Sequence, residues 1–233
     1  MNIAIILAGG TGSRMKSGNI PKQYMLVANK PIFTYCVDTF QENENIDGII
    51  IVAEKEWHDE INIWIDKNRI TKFMAYANPG RTRQHSIYNG LKEANERGSR
   101  KDIVIIHDAA RPLVSNQIID ACIKGAKESG GAMPVLPMKD TVYLSTTGTE
   151  ITGLLNRDEI YAGQAPEAFH LGKYIAIHDQ MSDEELGNVR GSSEIAYRNG
   201  LEIKLVEGSE MNFKITTRED LKKFEAYLAN GEN

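Results

Sequence analysis

The sequence is poor in cysteine: Cys36 and Cys122 stand alone among 233 residues. Two isolated thiols in apolar helical stretches exclude a disulfide framework and a cysteine metal site, and both read as packed free thiols. No apolar run is long enough to cross a bilayer, so no membrane partner is expected. No charged-then-apolar leader precedes the first strand pattern, and a cytoplasmic protein is expected. An excess of positive charge is missing too. The formal net charge of −5 argues against a general nucleic-acid binder, though a local basic pocket stays compatible with it. Repeats and low-complexity segments are absent. What remains is the composition of an ordinary soluble globular protein. Its length suits one large α/β domain, or one domain with an appendage, and a substantial core.

Two familiar phosphate motifs are also missing. The apolar run 3–7 leads into Leu7-Ala8-Gly9-Gly10-Thr11-Gly12-Ser13-Arg14-Met15. The Walker pattern would end in Gly-Lys-Ser/Thr, and the dinucleotide pattern would place a third glycine where Met15 stands. The run itself lacks alternation, as a strand covered on both faces does. The glycines allow a sharp turn and close approach to a ligand, and successive N–H groups in such a turn make an anion-binding concavity. Arg14 and Lys22 supply two cations close by. A nucleoside triphosphate site and an ordinary strand-to-helix connection both fit this stretch, and Pro21-Lys22-Gln23 favours the former.

Further along, apolar patterning predicts strands at 46–52, 73–76, 103–106, 132–136 and 201–206, and helices at 31–40, 57–65, 87–94, 117–128, 170–180 and 218–228. This alternation predicts an α/β fold with a mixed, mainly parallel sheet and helices on both faces. Trp57, Ile61, Trp64 and Ile65 share one helix face and read as core packing. The loop 78–86 is basic and rich in hydroxyls at a helix start, suited to a base edge or phosphate; within it His85 reads as an exposed helix residue. Asp108 ends a buried strand, where open α/β sheets place ligands. It could hold Mg²⁺ or cap the following helix. Arg111 could grip a phosphate bidentately. Segments 140–144 and 150–154 flank a turn-rich stretch and predict a β-hairpin, which is marginal alone and so should pack on a partner.

These stretches together resemble a family. Residues 7–15 with Pro21-Lys22-Gln23 are similar to the signature of nucleotidyltransferases acting on sugar or polyol phosphates. More narrowly they resemble the cytidylyltransferases of methylerythritol phosphate and ribitol 5-phosphate, and the similarity runs through nearly the whole chain. The resemblance implies a Rossmann-like three-layer α/β/α nucleotidyltransferase fold. It implies one domain, 1–233, with a protruding β-hairpin arm, 138–160, that crosses to a second subunit in a homodimer. It implies CTP as substrate, Mg²⁺ on Asp108, and transfer of CMP to a small linear polyol phosphate with release of pyrophosphate. By the same resemblance Arg14, Lys22 and Lys214 are catalytic. Leu7, Ala8, Gly9, Gly10, Gly12, Gly80, Arg83, Ser86, Asp108, Ala109 and Arg111 line the binding site, with Thr141 and Arg157 delivered by the arm. For Arg157 a surface ion pair is the other reading.

Three positions depart from the family pattern. Arg81 stands where relatives carry an acid, Ala165-Pro166-Glu167 where they show Thr-Pro-Gln, and Gly191-Ser192-Ser193 where they carry Thr-Asp. Asn156-Arg157 with Tyr161 and Gly163-Gln164 looks closer to the ribitol branch. Ribitol 5-phosphate is therefore the first acceptor and methylerythritol 4-phosphate the second. Another acceptor, such as a glycerol phosphate or a phosphonate, and a non-catalytic nucleotide-binding regulator stay open.

Overall fold

Strand β1 (Asn2–Leu7) is apolar on both faces because helices cover it from both sides. The computed structural model describes residues 1–10 and 20–231. In chain order it comprises β1, β2 (Leu26–Val27), β3 (Lys30–Pro31), α1 (Ile32–Glu42), β4 (Gly48–Val52), α2 (His58–Lys67), β5 (Phe73–Ala77), α3 (Arg83–Arg97) and β6 (Ile103–Asp108). Then come α4 (Asn116–Ser129), β7 (Gly130–Pro137), β8 (Tyr143–Leu144), β9 (Gly153–Leu154), β10 (Tyr161–Gly163), β11 (Glu167–His170), α5 (Leu171–Gln180), α6 (Asp183–Asn188), α7 (Ser192–Arg198), β12 (Glu202–Glu207) and α8 (Arg218–Ala229).

Among the described residues eight strands form one mixed sheet. β1 lies between β4 and β6 and is parallel to both; β5 adds in parallel beyond β4. On the other side β11 runs antiparallel to β6 and β7. β10 continues along that same edge of β7, because β12 occupies the opposite edge in parallel. The fold is thus the α/β architecture with a mainly parallel sheet that alternation predicts.

Side-chain period 2 sorts the core into two layers. Ala4 and Ile6 of β1, with Ile103 and Ile105 of β6, pack under α1, α2 and α4. Ile3, Ile5, Val104 and Ile106 pack under α3 and α5. Cys36 and Cys122 are buried free thiols in the first layer. Ile61 is buried, with Trp57, Trp64 and Ile65 packed against the same core, as their spacing predicts. A third cluster, Val27, Ile32, Ile215 and Phe224, seats α8.

Most boundaries shift by one or two residues from the sequence reading, and two shift further. α3 starts at Arg83, not 87, since Thr82 caps it by accepting from His85 N–H. Arg83 and Ser86 therefore sit on the first helical turn and not in a loop. The hairpin ladder is only two residues long on each strand, Tyr143 opposite Leu154 and Leu144 opposite Gly153. Strands β10 and β11 and helix α7 carry no periodic signal and were not expected.

A buried polar network ties α3 to α5 and α7. Gln84 donates to the His178 ring at 2.5 Å and to Tyr174 Oη at 3.2 Å. Tyr174 donates to the Ser192 carbonyl at 3.1 Å. His178 Nδ1–H donates to the Tyr174 carbonyl at 2.7 Å, so Nε2 is left as the acceptor for Gln84. Burial pushes the His178 pKa down to about 4. The folded state therefore refuses a proton that the unfolded chain accepts below its ordinary value near 6.5. Stability is full above that pH and falls as pH drops toward 4. This one group is worth about 3 kcal/mol when the window is crossed. Thermal melts from pH 7.5 to 4 should show His178→Leu losing less stability across the window than the unsubstituted chain; parallel curves would overturn that assignment.

Candidate active site

The strand order places β1 at a reversal: the chain leaves it for β4 on one side and returns to β6 on the other. Ligands bind at the carboxyl ends of strands at such a switch point. Leu7 and Asp108 are register partners there. A cavity of about 450 Å³ opens above them, lined among others by Leu7, Gly9, Gly10, Lys22, Arg83 and Asp108.

The glycine turn is held from below. Ala8 N–H donates to Val52 O at 2.8 Å. Gln23 Nε2 donates to the carbonyls of Ala8 (2.6 Å) and Gly10 (2.8 Å). Tyr24 Oη donates to Ala8 O at 3.1 Å, and its ring stacks on Trp57 with centroids 4.2 Å apart. A Cβ on Gly9 would lie 2.4 Å from Pro79 Cγ, whereas among the described residues a Cβ on Gly10 would meet nothing within 4 Å. Gly9 thus packs and Gly10 lines the cavity. Gly12 and Arg14 lie outside the described residues.

Asp108 is the centre of charge. Lys214 Nζ lies 2.9 Å from its carboxylate, Arg83 Nε 3.2 Å and Arg111 Nε 3.6 Å. Burial alone would raise the Asp108 pKa, but Arg83, Lys214 and Arg111 outweigh it and hold the carboxylate ionised well below its usual range. Asp108 and Glu167 likewise outweigh burial at Arg83 and raise its pKa. Burial lowers that of Arg111. Neighbouring His107 is pushed down by burial to about 4 and is neutral, its Nε2–H donating to Arg111 O at 3.0 Å. Asp108 does not cap α4; Ser115 does, accepting from Ile118 N–H. The capping alternative for Asp108 is therefore set aside.

The segment 212–216 closes one side. Ile215 N–H donates to Ala110 O at 2.8 Å, and Lys22 Nζ donates to Ile215 O at 2.6 Å. Arg111 donates to Asn212 O at 2.6 Å, and buried Asn212 Nδ2 donates to Ala165 O at 2.7 Å. Ala109 N–H donates to Leu7 O at 3.1 Å, fixing the ends of β1 and β6 together. Among the described residues no group of three or more His, Cys, Asp or Glu could hold a metal. Among those residues Asp108 and Glu54 are the two carboxylates lining this otherwise basic cavity, and so few carboxylates suit an ion whose other ligands are phosphate oxygens and water.

Arg83 and Asp108 also line a second cavity of about 630 Å³, with Arg111, Glu167, Arg190 and Ser193. Arg83 spans the wall between the two. Besides Asp108, it donates to Ser192 Oγ at 2.5 Å and faces Glu167 Oε1 at 3.5 Å. Glu167 Oε2 accepts from Ser193 N–H (2.7 Å) and Oγ (2.6 Å).

Of the residues expected from sequence, Leu7, Gly9, Gly10, Lys22, Gly80, Arg83, Ser86, Asp108 and Lys214 line the first cavity, and Arg111 the second. Ser86 Oγ accepts from Gly80 N–H at 3.0 Å and donates to Thr82 O at 3.1 Å, so its hydroxyl closes the loop on the helix. His85 is not an exposed helix residue. Its ring is largely covered, bridging Thr82 Oγ1 and Asp183 Oδ1 at 2.7 Å each. Arg81 pairs with the same Asp183. Thr141 and Arg157 line neither cavity; Arg157 donates to Lys139 O at 3.0 Å. Roles for Gln23, Asn212, Glu167 and Ser192 were missed. Gln23 follows the lysine of the signature directly, and its place there was the available signal.

Comparison with known proteins adds the following. The sequence profile of the 2-C-methyl-D-erythritol 4-phosphate cytidylyltransferase family matches residues 2–230. The chain is 34% identical to a ribitol-5-phosphate cytidylyltransferase of Streptococcus agalactiae serotype III (strain NEM316), covering 100% of this chain and 98% of that protein. It is 34% identical to a 2-C-methyl-D-erythritol 4-phosphate cytidylyltransferase of Clostridium botulinum (strain Loch Maree / Type A3), over 94% of each. The crystal structure of 4-diphosphocytidyl-2C-methyl-D-erythritol synthase from Anaerococcus prevotii DSM 20548 superposes with a TM-score of 0.82 at 26% identity, covering 98% of this chain and 96% of that one.

The two glycines give a paired test. Gly9→Ala should destabilise the fold by about 1–3 kcal/mol, since the rigid Pro79 ring must move. Gly10→Ala should melt like the unsubstituted chain and lose triphosphate affinity, because its methyl enters the cavity. Melting temperature and calorimetric titration with a nucleoside triphosphate read the two effects; equal behaviour of the variants would refute the division of labour.

Proposed function

The chain belongs to the 2-C-methyl-D-erythritol 4-phosphate cytidylyltransferase family and is a CTP-dependent cytidylyltransferase; from that premise we propose that its acceptor is D-ribitol 5-phosphate and its product CDP-ribitol. The observation that carries the site assignment is the pair of cavities meeting at Arg83 and Asp108. One suits a triphosphate and the other an acceptor brought against it. The full-length relation to ribitol-5-phosphate cytidylyltransferase supports the acceptor choice. The family relation keeps 2-C-methyl-D-erythritol 4-phosphate as the second reading.

In the proposed reaction an oxygen of the acceptor's phosphate monoester attacks the α-phosphorus of CTP. The new O–P bond forms as the bond to the β-phosphate bridging oxygen breaks, and that oxygen leaves with pyrophosphate. No general base is needed, because a phosphate monoester is already largely ionised near neutral pH. Two anions must meet, so fixed cations aimed at developing charge do most of the work. Lys22 and Arg14 would neutralise the triphosphate; Lys214 and Arg111 would hold the acceptor phosphate in line, which adds the proximity effect. Asp108 would hold Mg²⁺, whose charge would offset that of the phosphate oxygens.

The arm, residues 138–160, supports a homodimer. Tyr143, Leu144, Ile151 and Leu154 are at least half exposed, and a four-residue ladder has little stability alone. A second copy of the chain would cover them and would receive Thr141 and Arg157 at its own site.

Pyrophosphate release with CTP and Mg²⁺ should be fast with ribitol 5-phosphate and slow with methylerythritol 4-phosphate; the reverse order would move the chain to the second reading, and silence with both alongside CTP binding would favour a regulator. Lys22→Ala should lower kcat about 10²–10³-fold, the usual effect of losing one oriented electrostatic donor. Near-normal turnover would remove Lys22 from the mechanism. Leu154→Asp should shift the protein toward monomer in light scattering and reduce turnover with it; an unchanged dimer would sever the arm from assembly.

A further inference from the structure

The second cavity contains several polar side chains, and most of them are already committed. Glu194 spends one carboxylate oxygen on Arg198 (2.8 Å) and the other on Arg190 N–H (3.0 Å). Gln164 uses both ends of its amide on the turn that follows β12: Nε2 donates to Ser209 O at 2.9 Å, and Oε1 accepts from Ser209 N–H at 3.2 Å. Asp108 is occupied by Arg83 and Lys214. Glu167 is different. Its Oε2 takes two short bonds from Ser193, while Oε1 has its nearest cation, Arg83 Nη2, at 3.5 Å. That separation is too long for a good hydrogen bond.

Glu167 Oε1 is therefore a charged acceptor with capacity to spare, held rigidly by its other oxygen. It lines the cavity together with Arg83, Asp108 and Arg111, and Met133, Ile203 and Leu205 add an apolar part of the wall. A phosphate would be repelled by this carboxylate and drawn to the cations; hydroxyl groups on the carbon chain would be drawn to it. A site built to accept from a substrate hydroxyl discriminates against a group that cannot donate, because its own polar atom is left unpaired.

We propose that Glu167 is a specificity-determining residue for the acceptor: its Oε1 accepts from a chain hydroxyl in the second cavity, which favours the longer unbranched polyol over a shorter chain that offers one hydroxyl fewer and presents a methyl group that cannot donate. This rests on the reading of the chain as a cytidylyltransferase of a polyol phosphate. Glu167 takes no part in bond breaking. Its effect lies in where the acceptor's carbon chain settles.

The test compares kcat/KM for ribitol 5-phosphate and for 2-C-methyl-D-erythritol 4-phosphate, and the KM for CTP, in the unsubstituted enzyme, Glu167→Gln and Ser193→Ala. Glu167→Gln keeps the shape and removes the charge. It should lower kcat/KM for ribitol 5-phosphate about 10–100-fold, the range of one hydrogen bond to a charged group. It should narrow the preference over the methyl-branched acceptor and leave the KM for CTP unchanged. A parallel fall for both acceptors, or a rise in the KM for CTP, would overturn the proposal and make Glu167 a prop for Arg83. Ser193→Ala keeps the charge but loosens the carboxylate, and should shift the same preference by less. Should Glu167→Gln fail to fold by its melting curve, Ser193→Ala decides: a shifted preference supports the proposal and an unchanged one overturns it. An unsubstituted enzyme inert with both acceptors would sink the proposed function itself, whereas an active enzyme whose preference ignores both substitutions sinks only the role of Glu167.

Discussion

The site depends on one buried anion. Asp108 comes from the end of β6, and three cations converge on it from three other places: Arg83 from the first turn of α3, Arg111 from the turn after β6, and Lys214 from the segment before α8. A lone buried carboxylate would be costly, and three cations packed together would repel. Each makes the other tolerable. The cluster carries formal charge +2, so the site is electropositive before any ligand arrives. Its cations are already oriented, which is what electrostatic catalysis of phosphoryl chemistry requires.

Two of the three places that break the family pattern, 165–167 and 191–193, are joined to one another and to this cluster, whereas Arg81 pairs with Asp183. Ser192 Oγ accepts from Arg83, Ser193 donates to Glu167, and Glu167 faces Arg83. Arg83 thus bonds Asp108 through Nε and Ser192 through Nη1 while Nη2 points toward Glu167, a spread of directions lysine could not reproduce. Along the chain these two stretches look like separate losses. In space they are one rearranged contact set.

Much of this was legible in the sequence. The buried strands announced themselves through unbroken apolar runs, and the glycine turn, Lys22 and the strand-end Asp108, singled out along the chain, line one cavity. What was hidden depended on distant partners. α3 began a turn early because Thr82 caps a polar first turn that has no apolar period. β10 and β11 are three and four residues long, too short for a pattern, and exist because β6 and β7 offer them edges. His85 looked like a solvated helix residue because nothing nearby in sequence reveals Asp183 across the loop. Gln23 carries no charge, so its grip on two carbonyls shows only in three dimensions. The site roles of Arg14 and Gly12 lie beyond the described residues.

The base of the arm is stitched shut. Tyr161 is the register partner of Pro137, and Met138 N–H donates to Ile160 O at 3.0 Å. The arm therefore leaves and re-enters the body at one point, like a tab sewn onto a finished edge. A backbone cut anywhere between 139 and 159 would leave both stumps anchored in the sheet, so the body should outlive such a nick intact. Evolution faces the same geometry: the tab can lengthen, shorten or change its apolar face without disturbing the strand order around β1.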